Sequence, residues 1–266
     1  MGSMRTVVVT GSTRGIGRGL AEAFLAAGCR VVVSGRGEAE TRAAVAALGS
    51  IHGVERVAGR ACDVQRLPDV EALWQEAVAK FGRVDIWINN AGITNDLLPL
   101  WDIAPADLAA VISTNVLGTL HGCRVAMRGL RAQGGPGAIY NLEGLGSDGR
   151  IIDRLGLYGS SKRCITYLTD ALAREAKGSG IIVGGLMPGM VMTDLILGRY
   201  TGRPEELAKM RRLFNIIADR VQNVAPWLAA RVLANRRNGA HLSYVSGAKM
   251  LWRFVSAPIF PRHVVP

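Results

Sequence analysis

Cysteine is scarce in this 266-residue chain. The four, Cys29, Cys62, Cys123 and Cys164, form no Cys-x-x-Cys pair. That spacing argues against a zinc site or a disulfide scaffold and for a reducing compartment, the cytoplasm in the simplest case. Histidine is equally rare: His52, His121, His241 and His263 show no metal-ligand spacing, so no metal is expected. No apolar run approaches the ~18–20 residues that a bilayer-spanning helix needs, and the N-terminus shows no signal-peptide pattern. Internal repeats and linkers rich in proline, serine or charge are also missing. Acidic residues are outnumbered, 21 against 32 basic, for a net charge of +11. Residues 199–237 alone carry nine basic and three acidic side chains. Such a surface suits anionic lipid or acidic ligands, or is simply a solvated face. Nucleic acid is not expected, because no recognition motif accompanies the charge.

What is present is a 49% hydrophobic chain with 33 glycines, enough for one α/β domain over residues 1–266. Apolar strand runs at Arg5–Thr10, Arg30–Ser34, Val54–Gly59, Val84–Asn89, Ala138–Leu142 and Ile181–Leu186 alternate with helical stretches. Those helices are expected at Gly15–Ala27, Ala39–Leu48, Pro68–Phe81, Pro105–Arg131 and from Tyr158 to about Lys177. Strands this apolar, separated by helices, predict a doubly wound parallel sheet covered on both faces. Glu205–Val221 and Pro226–Asn235 read as further helices, and His241–Val245 as a closing strand.

Between the first strand and the first helix lies Thr10-Gly11-Ser12-Thr13-Arg14-Gly15-Ile16-Gly17. Glycines allow a tight turn and close backbone approach to a pyrophosphate, and the helix start offers free N–H groups. The second strand ends Ser34-Gly35-Arg36 with no carboxylate to grip ribose hydroxyls. Arg36 and Arg14 can instead bind a 2′-phosphate, so NADP is predicted over NAD. Further on, Tyr158 and Lys162 stand one helical turn apart. A fixed ammonium stabilises a phenolate, which turns a tyrosine that titrates near pH ~10 into an acid/base usable near neutrality.

Thr10–Gly17, Asn89-Asn90-Ala91-Gly92, Asn115, Tyr158 with Lys162, and Pro188-Gly189 together resemble the short-chain dehydrogenase/reductases, over nearly the whole chain. The resemblance implies a Rossmann-type fold, a nicotinamide cofactor and hydride transfer to or from a carbonyl carbon. It implies that Tyr158 donates a proton to the carbonyl oxygen, and that Lys162 holds the nicotinamide ribose. Asn115 then anchors a water that returns protons to Lys162. Asp63 and Val64 resemble the adenine-holding segment. Asn89, Ala91 and Gly92 are placed along the cofactor's ribose, and Pro188, Gly189, Val191 and Thr193 against the nicotinamide carboxamide. The family also implies a homodimer or homotetramer joined through the helices at 105–131 and 157–177.

One family feature is missing. The serine that bonds the substrate oxygen falls at Gly144 when counted from Asn141, and at Leu145 when counted back from Tyr158. Glu143 and Ser147 are the candidates to replace it; otherwise the loop is only structural. Asn141-Leu142-Glu143-Gly144-Leu145-Gly146-Ser147-Asp148-Gly149 resembles the loop of the chlorophyll b reductase branch, the Non-Yellow Coloring-like proteins. That branch implies NADPH-dependent reduction of the formyl group of chlorophyll b. The alternatives are a reductase for another bulky apolar aldehyde, ketone or alcohol, and a catalytically impaired NADP-binding scaffold. Residues 190–221, with Leu195, Ile196, Leu197, Met210, Leu213, Phe214, Ile216 and Ile217, are expected to form a substrate flap. The tail, 246–266, carries Trp252, Phe254 and Phe260 among Lys249, Arg253 and Arg262. Tail and flap both have the makings of a peripheral membrane contact, or of ordinary core and interface packing.

Overall fold

Strands and helices alternate along the computed structural model, which describes residues 4–200, 202 and 204–265. In chain order they are β1 (Thr6–Val9), α1 (Gly15–Ala26), β2 (Arg30–Gly35), α2 (Glu38–His52), β3 (Val57–Ala61), α3 (Leu67–Phe81) and β4 (Ile86–Asn89). Then come α4 (Pro105–Val111), α5 (Gly118–Gln133), β5 (Gly137–Leu142), α6 (Gly156–Glu175) and β6 (Ile181–Met187). The last third holds β7 (Met190–Met192), α7 (Asp194–Leu197), α8 (Pro204–Ile217), β8 (Ala218–Arg220), α9 (Val221–Ala234), β9 (Ala240–Ser243) and α10 (Gly247–Ser256). Seven strands form one sheet in the order β3-β2-β1-β4-β5-β6-β9, every pair parallel. This is the doubly wound Rossmann-type fold that the strand pattern predicts.

Period-two alternation decides which side chain reaches which face. Val7, Val9, Val31 and Val33 join Phe24, Leu48 and Leu228 beneath α1, α2 and α9. Val8, Val32, Trp87 and Ile139 join Leu73, Ala126 and Leu130 beneath α3 and α5. With both faces covered, unbroken valine runs are what the strands require. Each large apolar side chain so buried stabilises the fold by ~1.5–3 kcal/mol. Strand order reverses between β1 and β4, which opens a crevice at their carboxyl ends, where such sheets bind ligands.

The structure departs from the sequence reading in four places. Val54–Arg56 is a 3-10 turn, not the start of a strand, because Gly53 (φ 99°) ends α2 and the chain must turn before entering β3. The helix expected over Pro105–Arg131 is interrupted by a π-helical stretch, Ile112–Leu117, that includes Asn115. The helix expected from Pro226 begins earlier, at Val221, and carries Pro226 inside it. Finally, β7 and β8 pair in parallel, Met190 with Ala218 and Met192 with Arg220. This two-stranded sheet fastens the two ends of the 190–221 segment together. Thr201 and Arg203, within that segment, lie outside the described residues.

Candidate active site

At the carboxyl ends of the strands lies a cleft of about 730 Å³. Among the residues singled out from sequence, Gly11, Thr13, Arg14, Gly15, Ile16, Gly17, Arg36, Asp63, Val64, Ala91, Gly92, Glu143, Tyr158, Lys162, Pro188, Gly189, Val191 and Thr193 line it. Ser12, Asn89 and Asn115 do not.

The glycine loop has a steric reason for its glycines. A Cβ on Gly11 (φ 61°) would stand 2.8 Å from the Ala91 Cα, and one on Gly17 would stand 2.9 Å from the Ser12 Cα. Gly15 (φ 58°) opens α1 facing Thr193, and no side chain caps that helix start. Its first N–H groups therefore stay available to an anion. Asn90 holds the loop in place by donating to the Thr10 and Gly11 carbonyls at 2.8 and 2.9 Å. This is the arrangement that a pyrophosphate needs. The exposed Arg14 and Arg36 flank it, with no ion-pair partner among the described residues. Glu40, on the first turn of α2, also lines the cleft and folds over Gly37. Sequence reasoning missed it because it follows the strand end by a full helical step.

Two predicted cofactor contacts face the wrong way. The Ser12 hydroxyl donates to the Val9 carbonyl at 2.6 Å and accepts from the Ser34 N–H, tying β1 to β2. Asn89 shares the parity of Trp87, so its side chain enters the interior. There it accepts from the Trp87 indole at 2.7 Å and donates to Asn141 at 2.8 Å. The asparagine on the cleft is the next residue, Asn90, which the alternation along β4 was enough to reveal.

Tyr158 and Lys162 stand together on α6, with the Lys162 Nζ 5.8 Å from the phenol ring centroid. Nζ donates to the Leu142 carbonyl at 3.0 Å. Burial disfavours the ammonium and lowers the Lys162 pKa to about 8, while the Glu143 charge pulls the other way. Asn115 is buried behind this pair. Its amide brackets the Ile93 backbone and donates to the Ser161 hydroxyl, which in turn donates to the Tyr158 carbonyl. The side chain thus braces α6, and the π-helical stretch leaves its backbone out of the regular ladder.

Gly144 settles which count finds the missing serine's place. A Cβ there would lie 2.7 Å from the Tyr158 hydroxyl, so position 144 faces the phenol. Ser147 does not replace the serine. Fully buried, its hydroxyl accepts from the Gly144 N–H and donates to the Lys162 carbonyl. Glu143 turns its carboxylate to His241, at 2.7 Å, rather than to the phenol. As a stand-in for the serine, it points elsewhere.

Fold, anion cradle and a paired phenol and ammonium define a dinucleotide-dependent oxidoreductase. The short chain dehydrogenase family model matches residues 5–201. A chloroplastic chlorophyll(ide) b reductase, NOL, of Oryza sativa subsp. japonica is 37% identical over 263 residues, spanning 96% of this chain and 75% of that one. An actinorhodin polyketide ketoreductase solved with NADPH superposes with a TM-score of 0.81 at 26% identity, covering 94% and 99% of the two chains. A 3-ketoacyl-(acyl-carrier-protein) reductase from Brucella melitensis, solved with NADH, gives 0.78 at 26%, covering 92% and 98%. The chain belongs to the short-chain dehydrogenase family. It is an NAD(P)-dependent carbonyl reductase. Among the described residues no helix is long and apolar enough to cross a membrane, and no cluster of three metal-ligating side chains occurs.

Proposed function

We propose that the chain uses NADPH to reduce the formyl group of chlorophyll b, or of a related pigment, to a hydroxymethyl. The observation that carries this reading is the Gly144 approach to Tyr158, in a chain 37% identical to a chlorophyll(ide) b reductase. Position 144 presents no hydroxyl to the substrate, and Leu145, Met190, Leu195 and Ile196 line the adjoining wall. An apolar pigment suits such a wall. The segment 190–221 serves as the flap over it, hinged at the β7–β8 sheet.

When bound, the dinucleotide supplies the hydride that the carbonyl carbon accepts. The chain's own residues supply the rest. Gly11, Thr13, Arg14, Gly15, Ile16 and Gly17 hold the pyrophosphate; Arg36 and Arg14 hold the 2′-phosphate. Asp63, Val64, Ala91 and Gly92 flank the adenosine and ribose. Pro188, Gly189, Val191 and Thr193 fix the carboxamide end. Tyr158 gives its proton to the carbonyl oxygen, and Lys162 keeps the resulting phenolate stable. The chain works as a homo-oligomer, for which exposed Ile112, Leu117, Leu120 and Tyr167 on the 105–131 and 157–177 helices supply an apolar face. Exposed Leu251, Trp252, Val255, Ile259 and Phe260, beside Lys249 and Arg262, form the surface suited to peripheral membrane contact.

The test is direct. Purified protein is mixed with NADPH and chlorophyllide b, and the pigment spectrum is followed. Conversion by the wild type, lost in Tyr158→Phe with NADPH binding intact, supports the proposal. Turnover of steroid or aromatic carbonyls but not of the pigment moves the assignment to another apolar substrate. NADPH binding without any turnover makes the chain a cofactor-binding scaffold.

A further inference from the structure

The corner of the cleft at the end of β2 is built from two neighbouring turns. The Thr13 side chain packs on Gly35, where a Cβ would stand 2.7 Å from Thr13 Cγ2. Arg14 and Arg36, each the next residue along the chain, therefore flank one corner, and both line the cleft. Gly37 follows and opens α2, whose start no side chain caps. Two guanidinium groups beside free N–H groups favour a phosphate.

A carboxylate stands in the same corner. Glu40, on the first turn of α2, turns back over the helix start, so that a Cβ on Gly37 would overlap its Oε2 and stand 2.7 Å from its Cδ. The three heavy atoms nearest to that Cβ position all belong to the Glu40 carboxyl group. Gly37 has an ordinary φ of −86°, so its backbone does not demand glycine; the space taken by Glu40 does. Glu40 lines the cleft beside Arg36 and Gly37. Among the described residues no cation lies within ion-pair distance of it. The other carboxylates nearby are engaged: Glu38 meets Arg42 at 3.7 Å, and Asp63 accepts from the Gln65 N–H at 3.1 Å.

We infer that Glu40 is a specificity-determining residue for the cofactor: it narrows the preference for NADPH over NADH that Arg14 and Arg36 create. This rests on the reading that those two arginines hold the 2′-phosphate. A phosphate brought beside an unpaired carboxylate is repelled. The ribose of NADH brings a 2′-hydroxyl instead, and a hydroxyl donates to a carboxylate. One side chain thus penalises the phosphate and serves the hydroxyl. In doubly wound folds the carboxylate that grips ribose hydroxyls follows the second strand directly. Here that strand ends Gly35-Arg36, and the carboxylate arrives from the first turn of α2, five positions after Gly35. Gly37 is the residue that leaves room for it.

The experiment measures cofactor Kd by fluorescence titration of the full chain without substrate, so it does not depend on the pigment assignment. Glu40→Gln keeps the shape and removes the charge. It should tighten NADPH about 3- to 10-fold and should not tighten NADH. The gain should shrink in ~1 M salt, where the screening length falls to ~3 Å from ~8 Å at physiological strength; a merely structural role would not follow salt. Gly37→Ala reaches the same end by another route. Its methyl displaces the flexible tip of Glu40, so NADPH should again tighten relative to NADH, and in the double variant the two gains should not add. Adenosine 2′,5′-bisphosphate should tighten in both variants while 5′-AMP does not, which places the effect at the 2′ position. An NADPH-to-NADH Kd ratio unchanged in Glu40→Gln overturns the inference. So does a folded Gly37→Ala protein whose ratio stays put or moves toward NADH. Arg36→Ala keeps the two readings apart. If it moves the ratio and Glu40→Gln does not, the role of Glu40 alone fails; if neither moves it, the 2′-phosphate site fails as well.

Discussion

Restoring the family's serine should harm this enzyme. A Cβ at position 144 would stand 2.7 Å from the Tyr158 hydroxyl and 3.3 Å from the Lys162 Cγ. The first distance falls about 0.8 Å short of an ordinary van der Waals contact of about 3.5 Å. Gly144 does not have a positive φ, so the penalty comes from this approach and not from backbone strain. Two responses are available: the 144–149 loop, fixed by the Ser147 hydroxyl to the Gly144 N–H and the Lys162 carbonyl, moves back, or the phenol does. Overpacking of this kind costs about 1–3 kcal/mol, the lower end where a surface loop can yield. A reacting group displaced by nearly 1 Å loses about 10- to 100-fold in rate, or about 1.4–2.7 kcal/mol of barrier. Gly144→Ala isolates the steric part, and Gly144→Ser adds the hydroxyl. Both are compared with wild type in kcat/KM, cofactor Kd and Tm. The expected pattern is a kcat/KM loss of at least about tenfold in both, with cofactor binding intact. An alanine variant at the wild-type rate would refute the reasoning, and so would a serine variant that outpaces wild type.

Three further outcomes follow from the geometry. Arg36→Ala should weaken NADPH far more than NADH, by about 1–3 kcal/mol for a lost charge-assisted contact; equal losses in fluorescence titrations with the two cofactors defeat the assignment. Asp219 at the base of the flap accepts from Arg253, Arg262, Asn223 and Tyr244. Burial opposes its charge, but the bonds from Asn223, the Arg220 backbone and Tyr244, with the Arg262 charge, hold its pKa below the usual 3.8. Its contribution is therefore present above pH ~4 and lost on further acidification. Asp219→Asn should release α10 at neutral pH, read as faster hydrogen exchange over 247–256; unchanged protection there counts against the clasp. Because the folded His241 pKa is raised to about 9 from 6.5, the stability it supplies is whole below 6.5 and fades as pH rises through about 9. After discounting for a ring 31% exposed, the amount is about 2 kcal/mol. Urea midpoints of wild type and His241→Gln should converge by pH 10, and a constant gap would contradict the pairing.

The features legible in the sequence are the local ones. The glycine loop sits between a strand and a helix within eight residues, so its order alone announces a phosphate cradle. Tyr158 and Lys162 share one helix face, and four strands of the sheet come as valine- or isoleucine-rich runs. Errors arose where a second choice was superimposed on the local pattern. Ser12 and Asn89 stand in the right motifs, but strand parity turns the Asn89 side chain inward and a bond back to the Val9 carbonyl turns that of Ser12. The three-residue strands β7 and β8 are too short to leave a periodic trace, and their paired residues lie 28 positions apart. Glu143 and His241 lie 98 positions apart. Only the placement of β9 beside β6 brings them together, and no spacing rule records that.

Gly144 and Gly185 together explain how this site differs from the usual family pattern. A serine at 144 would direct a hydroxyl toward the substrate; the glycine instead lets the loop close on the phenol. Immediately before it, Glu143 spends one oxygen on a histidine that a side chain at 185 would block. Burying Glu143 alone beside the sheet would cost several kcal/mol. The His241 ring at 2.7 Å compensates it on one side. Exchanging Glu143 and His241 together for an apolar pair should therefore cost less stability than removing either one alone.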